Sequence, residues 1–271
     1  MSVVPLQVAA ISSVMGDTDV ALAMLKRALE LEPDNPAVLL CETQTRCQLA
    51  AVYSSLGAAA LAAESLRRGA AAATRAVRAN GTLEATWKSL GDCRIRQARL
   101  PAASQPPVAA VLEGALDAAS EGAAGVLLAA HRDRADAARG AQRAYAAAVH
   151  LNPLRPASWS DLALTQHQIA ALGAEHPAAH DAAVEAAARA TAERVLLAAL
   201  RLAPDVPRLW SALGSVHSSP AKREYALRRS LQLDPADAMT WLKLGRLYHA
   251  HNLPAKVTVC VLSLALRYLF L

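Results

Sequence analysis

Residues 230–248 read Ser230-Leu-Gln-Leu-Asp-Pro-Ala-Asp-Ala-Met-Thr-Trp-Leu-Lys-Leu-Gly-Arg-Leu-Tyr248. An apolar stretch closes on Pro235, and six positions later a Trp-x-x-Leu-Gly pattern opens. The chain has four tryptophans, and each stands in the same setting: Trp87 with Leu90 and Gly91, Trp159 with Leu162 and Ala163, Trp210 with Leu213 and Gly214, and Trp241 with Leu244, Gly245 and Tyr248. Upstream, Ala28 to Pro33, Ala148 to Pro153, Ala199 to Pro204 and Ser230 to Pro235 share the apolar-proline ending. Pro153, Pro204 and Pro235 each precede a tryptophan by six, and six beyond Pro33 falls the apolar Leu39. A scarce residue confined to one local pattern marks a copied structural unit, here a pair of helices.

The proline-to-tryptophan junction is constant, whereas the tryptophan-to-proline spans within a unit vary widely. A helix pair of roughly 34 residues cannot bury its own apolar face, so each second helix must dock on the first helix of the next pair. The turn between pairs is held by packed elements and keeps its length. The turn inside a pair lies on an edge, where inserted residues enter solvent at little cost.

Composition agrees. Of 271 residues 54% are apolar but only 4% aromatic, with alanine as the main filler. Alanine is the best helix former and lets helices approach closely, so an all-α class is expected. No long run of alternating β-branched or aromatic residues suggests strands. The formal charge of +5 is mild. Arginines mix with acids, as in Arg132-Asp-Arg134-Ala-Asp136, which reads as a solvated helix face. Arg94, Arg96 and Arg99 form a denser patch on the outer part of one helix. A solvated face is the expected role here too, because no aromatic residues are interleaved for base stacking; contact with RNA or an acidic partner is the alternative. Cys41, Cys47, Cys93 and Cys260 form no C-x-x-C pair and read as reduced, buried thiols. Without a charged start followed by an apolar core, and with Asp17, Asp19 and Glu30 early in the chain, neither a signal nor a transit peptide is expected, which places the protein in the cytoplasm or also the nucleus.

Along the chain, residues 5–15 and 17–32 read as the first pair, split at Gly16. Pro36 opens the second pair, about 36–56 and 58–79, separated at Gly57. The third begins near Thr82 as a helix cap and carries Trp87; 108–130 supply an inserted helix, weakened at Gly122 and Gly125, before a closing helix at about 133–151. The fourth runs from Pro156 through Gly173 with a second helix at about 178–202. The fifth, Pro207–His217 and 221–233, is the shortest, and the sixth starts at Asp237 with its partner helix expected after Leu253. Residues 257–271 are apolar, interrupted by Arg267, and too short for the ~20 residues that span a bilayer. They read as a degenerate last helix or as sequence foreign to the repeat, the second being favoured, and the chain reads as a slice of a longer array.

No nucleophile elbow, phosphate loop, dinucleotide fingerprint or H-E-x-x-H occurs, so no catalytic, cofactor or metal residues are assigned and no enzyme is expected. His176 and His180, with Asp181 adjacent, lack a third placed ligand and read as a solvated helix start. Cys41 and Cys47, six apart, point away from one another on a helix. The tryptophans read as inter-helix packing rather than a ligand-stacking row.

The pattern W-x-x-L-G-x-x-Y, followed by a second helix such as Ala192, Leu196, Ala199 and Pro204, resembles the tetratricopeptide repeat family over about residues 5–255. The resemblance implies an α-solenoid wound as a right-handed superhelix, with five to six units at about 1–34, 35–80, 81–154, 155–205, 206–235 and 236–256, and an atypical tail at 257–271. The segment Trp87 to Trp241 also resembles the tetratricopeptide scaffold subunit of the Ski complex. The likeness lies in the order of its irregular insertions and in Trp87-Lys-Ser-Leu-Gly-Asp92, Trp159-Ser-Asp-Leu162, Leu209-Trp-Ser-Ala-Leu-Gly214 and Trp241-Leu-Lys-Leu-Gly-Arg-Leu-Tyr248. That likeness implies a non-catalytic scaffold that holds an RNA helicase and a WD-repeat protein and supports exosome-mediated 3′-to-5′ RNA decay, meeting RNA only indirectly. The alternative is another tetratricopeptide adaptor, such as a co-chaperone. The Lys/Asn carboxylate clamp of such adaptors is missing, since Ser160 with Leu164 and Ser211 with Ser215 stand in its places.

Overall fold

A computed structural model describes residues 6–9, 12, 16–100, 121–174 and 182–269, and among these there is no strand. The helices are α1 (Thr18–Leu31), α2 (Pro36–Ser55), α3 (Ala59–Ala79), α4 (Glu84–Arg99), α5 (Glu121–Leu151), α6 (Pro156–Ala174), α7 (Ala182–Leu202), α8 (Pro207–Val216), α9 (Pro220–Leu233), α10 (Ala238–Ala250) and α11 (Pro254–Leu269). They fall into two compact units, residues 1–152 and 153–271. Within the first, α2 pairs with α3 and α4 with α5, while α3 also packs on α4. Within the second, the pairs are α6–α7, α8–α9 and α10–α11, with α7 docked on α8 and α9 on α10. Each unit is thus a run of all-α solenoid, in which the second helices α3, α7 and α9 each lie between their own partner and the next first helix.

Local chemistry sets the boundaries. Proline occupies the first turn of α2, α8 and α9, where its missing N–H would have no partner inside the helix. The Asn35 side chain accepts from the Ala37 amide, and Asp237 accepts from Met239 and Thr240, satisfying N–H groups that the helices leave free. Gly57 ends the α2–α3 turn at φ 74°, a left-handed conformation that costs a residue without Cβ little.

Alanine fills the narrow gaps. The α6–α9 core sets Ala163, Ala192, Ala199 and Ala212 among Leu196, Leu200, Leu209 and Leu213, with Trp159 and Trp210 packed against it. Leu227, Leu231, Leu244, Leu247, Tyr248 and Cys260 form a core shared by α9, α10 and α11. In the first unit, Leu25, Ala28 and Val38 join α1 to α2, and Ala73, Leu90 and Ala144 join α3, α4 and α5.

Several boundaries differ from those read in the sequence. The closing helix of the third pair starts at Glu121 rather than near 133, running unbroken through Gly122 and Gly125. Thr82 does not cap α4; its amide and hydroxyl both donate to Asn80 Oδ1, and the helix begins two residues later, behind Leu83. Helix α7 begins at Ala182, and the inserted residues 108–120 and the His176, His180 and Asp181 group lie outside the described residues. Residues 254–269 form the second helix of the last pair, with Val257 and Cys260 against α10.

Candidate interaction surface

The six-residue junction has a hydrogen bond at its centre. Trp159 Nε1 donates to the Pro153 carbonyl at 2.7 Å, Trp210 to Pro204 at 2.7 Å and Trp241 to Pro235 at 3.0 Å. Trp87 makes the same bond, 2.8 Å long, to Gly81, which therefore holds the place that proline takes elsewhere. The indoles are half-buried, with one face on the core and the N–H end at the turn.

Four positions after each tryptophan, the small residue sets how closely the second helix crosses. A Cβ on Gly91 would stand 2.6 Å from the Tyr145 ring, and one on Gly214 2.6 Å from Leu227 Cγ. On Gly245 it would meet Cys260 Cβ at an ordinary 3.6 Å. The fourth repeat carries alanine, Ala163, and buries it fully. Leu90, Leu162, Leu213 and Leu244, three positions after the tryptophans, are all buried.

The first helices of the second unit are joined by polar groups. Asp161 of α6 accepts from Arg208 of α8, and Ser211 Oγ of α8 is contacted from α10 by Thr240 Oγ1 at 2.7 Å and Lys243 Nζ at 2.9 Å. Burial pushes Lys243 below the usual lysine range, against a smaller opposing effect of Asp237. Ser160 is buried and donates to the Ala157 carbonyl.

Two surface clefts occupy corresponding places in their pairs. One, of about 530 Å³, lies between α1, α2 and α3: Leu22, Leu25 and Leu29 supply apolar wall, and Lys26, Arg46, Arg68 and Arg75 stand around it against Glu30 and Glu42. The other, of about 440 Å³, lies between α9, α10 and α11, over Leu231, Trp241, Leu244 and Val259, with Arg228, Lys256 and Glu224 at its edge. Counted back from the junction prolines, Leu29 corresponds to Leu231 at four residues and Lys26 to Arg228 at seven. At the second cleft Tyr248 donates to Glu224 at 2.9 Å, and Lys256 reaches the same carboxylate at 3.3 Å while lying over the Tyr248 ring. The tyrosine bond, and then Lys256, hold Glu224 below the usual carboxylate range; burial and that same bond push Tyr248 up to about 12.

The arginine patch does not assemble. Arg94 lies over Gly140 of α5, whose missing Cβ makes room for the guanidinium, and its Nε is buried without a hydrogen-bond partner among the described residues. Arg96 and Arg99 remain exposed. What spacing along the chain missed is a pair of thiols: Cys47 of α2 and Cys93 of α4 meet at 3.0 Å between sulfurs. Among the described residues no group of three or more His, Cys, Asp or Glu side chains is placed to hold a metal, and no helix is long and apolar enough to cross a membrane.

No family model and no curated protein matches this chain. Solved structures similar to it include a thermophilic TPR (tetratricopeptide repeat) protein of Thermus thermophilus, 18% identical over 91% of this chain and 98% of that one, with a TM-score of 0.48. A MamA protein is 16% identical over 88% of this chain and 94% of its own, with a TM-score of 0.47. The PilF protein of Pseudomonas aeruginosa is 14% identical over 97% of this chain and 90% of its own, with a TM-score of 0.48.

Proposed function

We propose that the chain is a non-catalytic protein-interaction scaffold whose clefts receive partner segments carrying an apolar anchor flanked by acidic residues. The observation that carries this reading is the recurrence of one cleft chemistry at one place in the repeat. Leu29 with Lys26, and Leu231 with Arg228, stand at matching distances before Pro33 and Pro235. Leucine walls favour burial of an aliphatic or aromatic side chain, and the surrounding cations favour carboxylates on either side of it. Fluorescence anisotropy on a library of labelled leucine-centred peptides tests this. Peptides with Asp/Glu flanks bind more tightly than Lys/Arg-flanked ones, and Lys26→Glu combined with Arg68→Glu weakens the best binder at least roughly tenfold. Equal binding of both flank types, or an unchanged affinity in the double variant, refutes it.

A finer reading is that the scaffold serves a Ski-type complex in exosome-linked RNA decay in the cytoplasm, touching RNA through a helicase partner. It rests on the order of insertions between Trp87 and Trp241. Affinity purification of the full-length product tests it, and absence of both a DExH helicase and a β-propeller partner ends it. A generic adaptor role without a carboxylate clamp is the reading that then remains. It is supported by Ser160, which is turned to the Ala157 carbonyl, and by Ser211, which is taken up by Thr240 and Lys243.

A further inference from the structure

We propose that Cys47 and Cys93 are a modification site, a thiol pair that hydrogen peroxide closes into a disulfide joining α2 to α4. The two sulfurs lie 3.0 Å apart although 46 positions separate the residues in the chain. A disulfide needs about 2.05 Å between sulfurs, so the closure required is about 1 Å. Helices α2 and α4 are the first helices of neighbouring pairs and touch directly. Room for the sulfur is built in, since a Cβ on Gly69 of α3 would stand 2.9 Å from Cys93 Sγ. The surroundings are Ala50, Ala62, Ala63, Leu66 and Leu100, which offer neither sulfur another polar partner.

The pair is asymmetric. The hydrogen bond from Cys93 holds the Cys47 thiol below its ordinary value, with Arg96 acting in the same direction against burial, while that bond and burial push Cys93 up. Cys47, 7% exposed where Cys93 is fully buried, is therefore the thiol an oxidant reaches and the attacking thiolate, and Cys93 the proton donor that later resolves it.

The Cys47 thiolate attacks one peroxide oxygen. The O–O bond breaks, a sulfenic acid forms, and hydroxide leaves. That hydroxide takes the Cys93 thiol proton and becomes water. The Cys93 thiolate attacks the Cys47 sulfur and expels the sulfenic hydroxide, which is protonated by solvent to a second water. Two thiols have been oxidised to one disulfide and one peroxide reduced to two waters, the solvent proton being the one Cys47 first released. Cys47 is 7% exposed and Cys93 fully buried, so the pair favours an oxidant of peroxide size over a bulky disulfide such as oxidised glutathione.

The test uses the folded full-length chain, oxidised with hydrogen peroxide, blocked with iodoacetamide and digested with trypsin without reduction. Each cysteine falls in its own tryptic peptide: Cys41 in 28–46, Cys47 in 47–67, Cys93 in 89–94 and Cys260 in 257–267. The expected product is peptide 47–67 linked to 89–94, lost on addition of dithiothreitol, with oxidised glutathione forming it at least roughly tenfold more slowly. In a Cys93→Ser variant, Cys47 instead accumulates as a sulfenic acid that dimedone traps. The proposal is overturned by absence of the 47–67/89–94 link in the folded wild-type chain, by equal yield from the urea-unfolded chain, or by equal rates with the two oxidants. The wild-type digest decides the matter even if the variant does not fold.

Discussion

Alanine placed at Gly214 and at Gly245 should shift stability in opposite directions, although both occupy the same position of the repeat. Alanine in place of a helical glycine contributes roughly 1 kcal/mol through backbone entropy. At Gly245 that gain is free to appear, because the added methyl meets Cys260 Cβ at 3.6 Å, an ordinary contact distance. At Gly214 the same methyl falls 2.6 Å from Leu227 Cγ, 2.7 Å from its Cδ2 and 3.3 Å from the Arg223 carbonyl. Leu227 is 1% exposed and cannot swing into solvent, so α8 and α9 must separate. Overpacking of this kind costs about 1–3 kcal/mol, which against that gain leaves Gly214→Ala a net ~0–2 kcal/mol less stable and Gly245→Ala up to about 1 kcal/mol more stable. Urea titrations followed by far-ultraviolet circular dichroism should place the two midpoints about 1 M apart at comparable slope. The cause is isolated by a double-mutant cycle. In a Leu227→Ala background the added methyl enters the space left by the leucine, and Gly214→Ala no longer destabilises. Midpoints that move together, or a Gly214→Ala penalty that persists without the leucine, refute the reasoning.

Trp210→Phe keeps most of the ring on the core but removes the 2.7 Å bond to the Pro204 carbonyl, so it should cost about 1 kcal/mol, against about 3 kcal/mol for Trp210→Ala. An unchanged urea midpoint for Trp210→Phe shows that the indole N–H contributes nothing. Tyr248, with its pKa raised to about 12, contributes stability that is complete below about pH 10, the value of a free tyrosine, and is lost as pH rises toward 12. Glu224, lowered by its bonds to Tyr248 and Lys256, contributes stability present above the ordinary carboxylate range and lost as pH falls through its lowered value. Tyr248→Phe should therefore reduce the loss of stability between pH 10 and 12, and thermal melts across that range check it; an unchanged alkaline loss rules the linkage out.

The elements that spacing reveals are those in which one helix reports on itself. Apolar residues at intervals of three and four marked out helices now seen from Thr18 to Leu31 and from Ala238 to Ala250. Gly16 and Gly57 were legible as turns for the same local reason, and both take positive φ. Where two elements decide jointly, the pattern is silent. Thr82 looks like a helix cap, but Asn80 competes for its hydroxyl and amide. Arg94 belongs to a basic run in sequence, but its side chain is spent on filling the space above Gly140. The Gly81 junction escaped a search for proline because its defining feature is a carbonyl for Trp87, and any residue supplies one. The Cys47–Cys93 contact depends on the offset between neighbouring first helices, which no spacing within either helix carries.

The same division explains how a chain can keep one turn fixed while others vary. In the second unit the turn between pairs is held from two sides. The indole N–H bonds the proline carbonyl six residues behind it, and the helix it opens is docked on the preceding second helix. One added residue there would pull the ring from the carbonyl or rotate the first helix by about 100°, turning Leu213 or Leu244 out of the core. Among the described residues, the turns inside the α8–α9 and α10–α11 pairs carry no such indole bond. The α8–α9 turn closes through Ser219 N to His217 Nδ1, and the α10–α11 turn through Asn252 at φ 53° with backbone bonds from His251, Asn252 and Leu253 to Tyr248 and His249. These contacts are local to the turn and can be replaced by those of a longer loop without moving either helix. The long span after Trp159 therefore enlarges its pair without changing the junction that sets α8 in place.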